Sequence, residues 1–278
     1  MFERALMRRR RARALENPRF PDFLYQAAAS EIADRLDLTL RRFDKAVVLG
    51  AAAMALARVL GGSARLGHVF AADRDIVLDE ETLPFAPASL DAVISGPGLE
   101  FVNDLPGTLA QISRAVRPDG LFLAVLFGGD TLAELRASWF AAETEITGGV
   151  SPRVAPLADV RELGRLLQRA NLALPVADVD RLTVRYPSGL AVMAELKAMG
   201  LANALAARRR RPVTRTLLEV PRDLDVPGLL GAEAEAVAAE AELDEDVLAG
   251  RAPAVDLAAQ VGQGSEDARE AGAGSRQA

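Results

Sequence analysis

The chain has 278 residues, half of them hydrophobic, so it can bury a full core as one large domain or as one domain with an appendage. Its formal net charge of −6 gives no global reason to expect a nucleic-acid partner. The absence of cysteine excludes disulfides and thiolate nucleophiles, and the single histidine, His68, argues against a metal site or a Ser-His-Asp triad, so no metal is expected.

The first 42 residues are predicted to form a helical segment. An arginine-rich helix covers residues 1–15, Pro18 and Pro21 interrupt it, and a second helix covers residues 23–36. The arginine run could meet phosphate or a membrane surface, although a solvated basic face is the simpler explanation. No apolar run approaches the ~20 residues of a bilayer span, and no apolar region follows the basic residues as in a secretory signal. We therefore expect a cytoplasmic protein without a membrane span.

A strand, a turn and a helix follow this segment. Residues 45–50 predict the first buried strand, and residues 51–60 predict a helix. Such a turn is where α/β proteins usually bind a nucleotide, because the helix N-terminus offers free N–H groups. Gly50 is the single glycine of this turn, and an ordinary strand-to-helix turn also uses one.

Two apolar runs then end in carboxylates, residues 68–73 at Asp73 and residues 76–79 at Asp79. An acid at such a strand end can hold ribose hydroxyls, although a surface aspartate is an equally good explanation. Two residues separate the runs, whereas parallel neighbours need a crossover of about a dozen or more. Either one run is not a sheet strand or the local topology is shortened.

The best-defined unit of the sequence is a strand, a crossover helix and a second strand. Residues 92–95 predict a buried strand before a glycine-rich turn, and residues 121–127 predict another. Asn103 or Asp104 can cap the helix between them. Its apolar residues have the spacing of a helix packed on a sheet: Leu105, Leu109, Ile112 and Val116. This unit predicts a parallel sheet.

The remaining chain divides near residue 218. A helix from Asp159 with Asn171 as its left-handed cap, a strand over residues 176–186 and a helix from Leu190 complete an α/β domain over residues 43–218. From about residue 221 the sequence is rich in alanine, glutamate, aspartate and glycine. We therefore expect residues 219–278 to be an acidic, disordered tail with a transient helix near residues 232–243.

Several motifs resemble class I S-adenosylmethionine-dependent methyltransferases. They are Asp79-Glu80-Glu81-Thr82-Leu83-Pro84-Phe85, Val102-Asn103-Asp104-Leu105-Pro106 and Arg117-Pro118-Asp119-Gly120. The closer resemblance is to the branch that holds the malonyl-carrier-protein methyltransferase of biotin synthesis and a respiratory complex I assembly factor that hydroxylates an arginine. Residues 127–136 and 148–153 are similar to the assembly-factor side. The resemblance covers roughly residues 1–218.

The resemblance implies a Rossmann-like, mainly parallel α/β sheet of seven strands, with helices on both faces and S-adenosylmethionine across the carboxyl ends of the strands. The implied cofactor-binding residues are Gly50, Asp73, Asp79, Glu80 and Ser95. The implied substrate-side residues are Glu100, Asn103, Gly129 and Asp130. Capping-box spacing at Thr131 and Glu134 explains part of the last motif structurally. The resemblance identifies neither the methyl acceptor, a small molecule or a protein, nor the catalytic base.

Three departures from the family pattern affect the ligand side. The glycine loop is Val48-Leu49-Gly50-Ala51-Ala52-Ala53, and each alanine adds a methyl group where the backbone should approach a ligand. The helix between the second and third strands is nearly absent. Glu100-Phe101 replaces the usual His-Trp pair. No aromatic-rich last strand is found, so the sheet is expected to lack this helix and to be short by that strand.

Two functions from different classes follow. One is a methyltransferase that positions an acceptor against the cofactor's methyl group. The other is a degenerate, non-catalytic assembly or interaction factor with a protein partner, related to respiratory complex I assembly. A nicotinamide-dependent reductase is disfavoured, because Tyr186 is followed four residues later by Leu190 instead of lysine.

Overall fold

The computed structural model describes residues 1–51, 53–72, 75–76, 78–210 and 213–214, together with the backbone of residues 231–242. These residues form a six-stranded sheet in the order β2-β1-β3-β4-β6-β5. The strands are β1 Phe43–Leu49, β2 Leu66–Ala71, β3 Leu90–Ser95, β4 Val116–Phe127, β5 Ala173–Arg185 and β6 Gly231–Glu242. Strands β2, β1, β3 and β4 are parallel, and β6 runs antiparallel to β4 and β5. The expected Rossmann-like, mainly parallel sheet is confirmed.

Seven described α-helices accompany the sheet, and one 3-10 turn, Leu99–Phe101, follows β3. The helices are α1 Arg4–Leu15, α2 Phe23–Leu38, α3 Ala53–Leu60, α4 Leu105–Ala115, α5 Ala133–Thr147, α6 Val160–Arg169 and α7 Gly189–Ala198. Helix α2 packs against α3, and α4 packs against α6. The core between helices and sheet contains Leu109 and Ile112 of the predicted α4 stripe, whereas Val116, which is predicted to belong to the same helix, is the first residue of β4. All six residues of β3 are buried, as expected for a central parallel strand.

The two apolar runs after α3 have different outcomes. The first forms β2, whereas the described residues of the second form isolated bridges, Ala72 with Ile76 and Asp79 with Thr82. No helix is found among the described residues between β2 and Asp79. Of the two alternatives, the first is supported, because the described residues of the second run belong to no strand of the described sheet.

The prediction that the last strand is missing is wrong, and so is the transient helix over residues 232–243. Residues 231–242 form β6, which pairs with β4 on one side and with β5 on the other. The sequence of this segment alternates alanine and glutamate with a period of two, which is the period of a strand. Pairing on both sides outweighs the low intrinsic strand propensity of alanine and glutamate. The rest of the predicted tail lies outside the described residues.

Asp91 ties the amino-terminal ends of two strands together. It is buried in β3, and its Oδ2 accepts hydrogen bonds from the backbone N–H groups of Asp44 and Lys45 at 2.8 and 2.9 Å. Its Oδ1 lies 2.9 Å from Nη1 of Arg117. One carboxylate thus accepts hydrogen bonds from two backbone donors at the amino-terminal end of β1.

We predict that Asp91→Ala lowers the free energy of unfolding by about 2–4 kcal/mol, because it removes a buried carboxylate that accepts two backbone hydrogen bonds and pairs with Arg117. Urea denaturation measures the change. Asp44→Ala is the control, since the Asp44 side chain is 73% exposed and should cost well under 1 kcal/mol. Equal losses in the two variants would contradict the role assigned to Asp91.

Candidate functional site

The turn after β1 is in direct contact with the loop after β3. Gly50 has φ +100°, and a Cβ there would lie 2.6 Å from the Gly96 carbonyl oxygen. The Ala51 N–H donates to the Pro97 oxygen at 2.9 Å, and the Gly96 N–H donates to the Leu49 oxygen at 3.2 Å. Gly50 is therefore required by the approach of two backbone segments, and this part of the turn faces protein.

The acids that follow β2 are bonded to the N-terminal helix. Nη2 of Arg4 donates to Asp79 Oδ1 and to Glu80 Oε2, each at 2.6 Å, and Arg8 also pairs with Asp79. Partial burial raises the pKa of Asp79, but hydrogen bonds from Arg8 and the Glu81 N–H, with the charge of Arg4, outweigh it and lower the pKa to about 2. Asp73 lies outside the described residues.

Asn103 holds the start of the chain instead of capping α4. Its Oδ1 accepts a hydrogen bond from the Phe2 N–H at 2.6 Å, and its Nδ2 donates to the Phe2 carbonyl oxygen at 3.3 Å. The α4 cap is Asp104, which accepts from the Gly107 N–H at 2.9 Å. The Phe2 ring packs edge-on against Phe101, with 5.6 Å between the centroids.

Among the acids near the carboxyl ends of these strands, Glu100 has the pKa that departs most from its ordinary value. It is 92% buried, its Oε2 accepts from the Gly98 N–H at 2.7 Å, and its Oε1 has no hydrogen-bond partner among the described residues. Burial raises the pKa of Glu100 to about 7. Backbone hydrogen bonds and the charge of Arg11 oppose the rise, and the charge of Glu80 adds to it.

The remaining predicted residues bond to other parts of the protein. The Ser95 hydroxyl donates to the Gly96 oxygen at 2.8 Å. Gly129 accepts a hydrogen bond from Arg136, and Asp130 forms an exposed ion pair with Arg181 at 3.5 Å. Helix α5 begins after Leu132, which has φ +58°, one residue later than a capping box at Thr131 requires. That capping-box interpretation is wrong.

Two cavities lie beyond the strand ends, and Phe127 and Leu157 line both of them. The first has a volume of about 320 Å³ and mostly apolar walls, with Arg153 and Lys197 as its charged side chains. The second has a volume of about 310 Å³, and its charged side chains are Glu100 and Glu162. Of these two, Glu100 is buried, whereas Glu162 is exposed in the first turn of α6.

A buried ion pair supports the first cavity. Glu143 of α5 is buried and pairs with Arg153, and it also accepts hydrogen bonds from the Ser151 N–H and hydroxyl. The Arg153 guanidinium lies 4.8 Å from the centre of the Trp139 ring. The sequence motif over residues 148–153 thus fixes one wall of the cavity, a role that its resemblance alone did not indicate.

Comparison with known proteins places this geometry in a family. Residues 49–124 match a methyltransferase domain family. The arginine-hydroxylase NDUFAF5 of Danio rerio is 34% identical over 226 residues, which cover 75% of this chain and 70% of that protein. The chain belongs to the NDUFAF5 family. The human NDUFAF5 is 37% identical over 228 residues, covering 75% of this chain and 66% of that protein, so the match spans about two thirds of its length.

More distant matches agree with a methyltransferase scaffold. The malonyl-[acyl-carrier protein] O-methyltransferase of Xylella fastidiosa (strain M23) is 39% identical over 131 residues, which cover 47% of this chain and 42% of that protein. The crystal structure of a proposed methyltransferase from Bacillus halodurans C-125 has a TM-score of 0.50 at 12% identity, covering 78% of this chain and 98% of that one. It supports the fold. This chain therefore has the Rossmann-like fold of known methyltransferase structures.

The methyltransferase architecture implies S-adenosylmethionine, but the described residues that the resemblance assigns to that cofactor make their contacts with the protein itself. The turn at Gly50 is closed by the loop after β3, and Asp79 and Glu80 are bonded to Arg4. Neither cavity is lined by Gly50, Asp79, Glu80 or Ser95. Within the described chain, no group of three metal-ligating side chains is found, and no helix has the length and apolar character of a bilayer span.

We predict that Glu100→Gln stabilises the protein at high pH. Because the folded-state pKa is raised from 4.5 to about 7, the folded state holds this proton more tightly than the unfolded state, and stability falls as pH rises through that window. The variant should be about 3 kcal/mol more stable than the parent at pH 8 and similar to it at pH 4. Thermal or urea unfolding at the two pH values measures the difference.

Glu145→Gln is the control for this prediction, because Glu145 is an exposed residue of α5. It should leave the pH dependence of unfolding unchanged. A Glu100→Gln effect of the same size at both pH values would show that the buried carboxyl does not titrate in this window.

Proposed function

We infer that this chain is a binding factor on a methyltransferase scaffold, which holds an arginine side chain of a partner protein at Glu100 and does not use S-adenosylmethionine. The observation that carries this proposal is that Glu100, which lines the second cavity, is buried and has no hydrogen-bond partner for its Oε1 among the described residues. A buried carboxylate oxygen without a donor is costly, and a ligand that supplies the donor recovers that cost.

A guanidinium group matches this cavity in charge and in shape. It presents five N–H donors and stays charged at all relevant pH values, so it can pair with Glu100 without losing its own proton. The apolar stem of an arginine side chain suits the walls formed by Leu126, Phe127 and Leu163. Glu162 at the rim adds a second negative charge along the entry path.

The relatives support arginine as the recognised group. Proteins that are 34–37% identical to most of this chain are named arginine-hydroxylases. Their activity belongs to those proteins, and what this chain is proposed to share with them is recognition of arginine in a protein partner. A role in respiratory complex I assembly, which the sequence resemblance implies, belongs to the same proposal. The cytoplasmic location stays a prediction, since those relatives are named mitochondrial.

We predict that the protein does not bind S-adenosylmethionine or S-adenosylhomocysteine at millimolar concentration. Calorimetric titration and thermal shift measure this directly. Arg4→Ala, which releases Asp79 and Glu80 from α1, should also fail to bind, because the turn at Gly50 remains closed. Saturable binding by the parent protein would contradict the proposal, and binding gained by Arg4→Ala would show that α1, not the turn, excludes the cofactor.

An S-adenosylmethionine-dependent methyltransferase is the second candidate. It is favoured by the match of residues 49–124 to a methyltransferase domain and by the positive φ of Gly50, which a glycine loop also requires. The titration above decides between the two. Binding to the parent protein would support the enzyme, and Asp79→Ala should then weaken it if the adenine site lies where the resemblance places it.

We predict that N-acetyl-arginine methylamide binds to the second cavity and that affinity rises between pH 6 and pH 8 as Glu100 loses its proton. Glu100→Gln should reduce the affinity at pH 8 at least tenfold, because it removes a charge-assisted hydrogen bond worth about 1.5–3 kcal/mol. Calorimetry at the two pH values measures both effects.

The matched ligand control is N-acetyl-citrulline methylamide, which has the same shape without the charge and should not bind measurably. The matched protein control is Glu162→Gln, which removes a carboxylate from the rim and should cost less than the buried substitution. Equal binding of citrulline and arginine, or no effect of Glu100→Gln, would refute the arginine site.

A further inference from the structure

The first cavity is lined mainly by apolar side chains and has no part in the proposed arginine site. Its volume of about 320 Å³ lies at the lower end of the usual range for ligand pockets, about 300–1,000 Å³. The lining includes aromatic residues from several elements and three methionines, whose flexible side chains adapt to a ligand of varying shape. They are Phe2, Phe23, Phe101, Phe127, Trp139, Tyr186, Met7, Met193 and Met199.

The charged side chains that line the two cavities have opposite signs. No carboxylate is among the described lining residues of the first cavity, whose charged side chains are Arg153 and Lys197. Arg153 is largely buried and paired with Glu143, so Lys197, which is exposed near the C-terminal end of α7, supplies the net positive charge. An apolar interior with a cation at its edge is complementary to a molecule with an apolar chain and an anionic head.

We propose that the first cavity is a binding site for a single-chain anionic amphiphile, such as a medium-chain fatty acid, whose carboxylate pairs with Lys197 and whose chain lies against Trp139. The limited volume selects one chain of medium length over a two-chain lipid. The lining of this site does not include Glu100, so the proposal is tested independently of arginine binding.

The single tryptophan of the chain reports directly on this site, because Trp139 lines the cavity. Hexanoate, octanoate, decanoate and dodecanoate should change the Trp139 emission with dissociation constants that fall about fourfold for each added methylene, until the cavity is full. Dodecyltrimethylammonium should bind at least tenfold more weakly than dodecanoate. A series without chain-length dependence, or equal binding of the cationic amphiphile, would overturn the proposal.

Three variants locate the ligand. Ala155→Phe fills the first cavity and should weaken decanoate binding at least tenfold, whereas Ala158→Phe, its match in the second cavity, should leave it unchanged. Lys197→Met should weaken decanoate binding with little effect on decanol, and it tests the head group even if Ala155→Phe does not fold. Decanoate binding that is insensitive to both Ala155→Phe and Lys197→Met would place the ligand elsewhere and refute the site.

Discussion

The backbone contact between the turn after β1 and the loop after β3 is the constraint that organises this edge of the sheet. Parallel neighbouring strands bring the two segments side by side, and the Ala51–Pro97 hydrogen bond draws them so close that position 50 accepts only glycine. The same loop then presents the Gly98 N–H to Glu100. The close approach to Gly50 and the hydrogen bond to the buried Glu100 carboxylate are therefore two consequences of one loop conformation.

The N-terminal segment is the second element that defines the site. Arg4 neutralises the acids after β2, Asn103 holds the Phe2 backbone, and Glu3 pairs with Arg208 and Arg210. These contacts join residues far apart in sequence and place Phe2 in the wall of the first cavity. Arg4 and Arg8 of the predicted basic helix therefore pair with acids of the protein itself. Fewer of its arginine side chains are then available to bind a phosphate or a membrane surface.

Local patterns predicted the local structure, and long-range pairing limited the rest. The pattern of apolar residues predicted β3, α4 and β4, because this pattern is set by residues that are close in sequence. The strand β6 was missed because its alanine and glutamate residues have low strand propensity, and its stability comes from β4 and β5 on either side. Likewise Arg4 and Asp79 are 75 residues apart, so no local pattern predicts their ion pair.

The charged side chains of the two cavities have opposite signs, so a ligand that suits one cavity is disfavoured in the other. A carboxylate that enters the second cavity meets Glu100 and Glu162, and like charges at short range in apolar surroundings disfavour binding. A guanidinium that enters the first cavity meets Lys197, with no described carboxylate in the lining to receive it. Phe127 and Leu157 line both cavities, so the two sites share part of their apolar surface while the signs of their charged side chains differ.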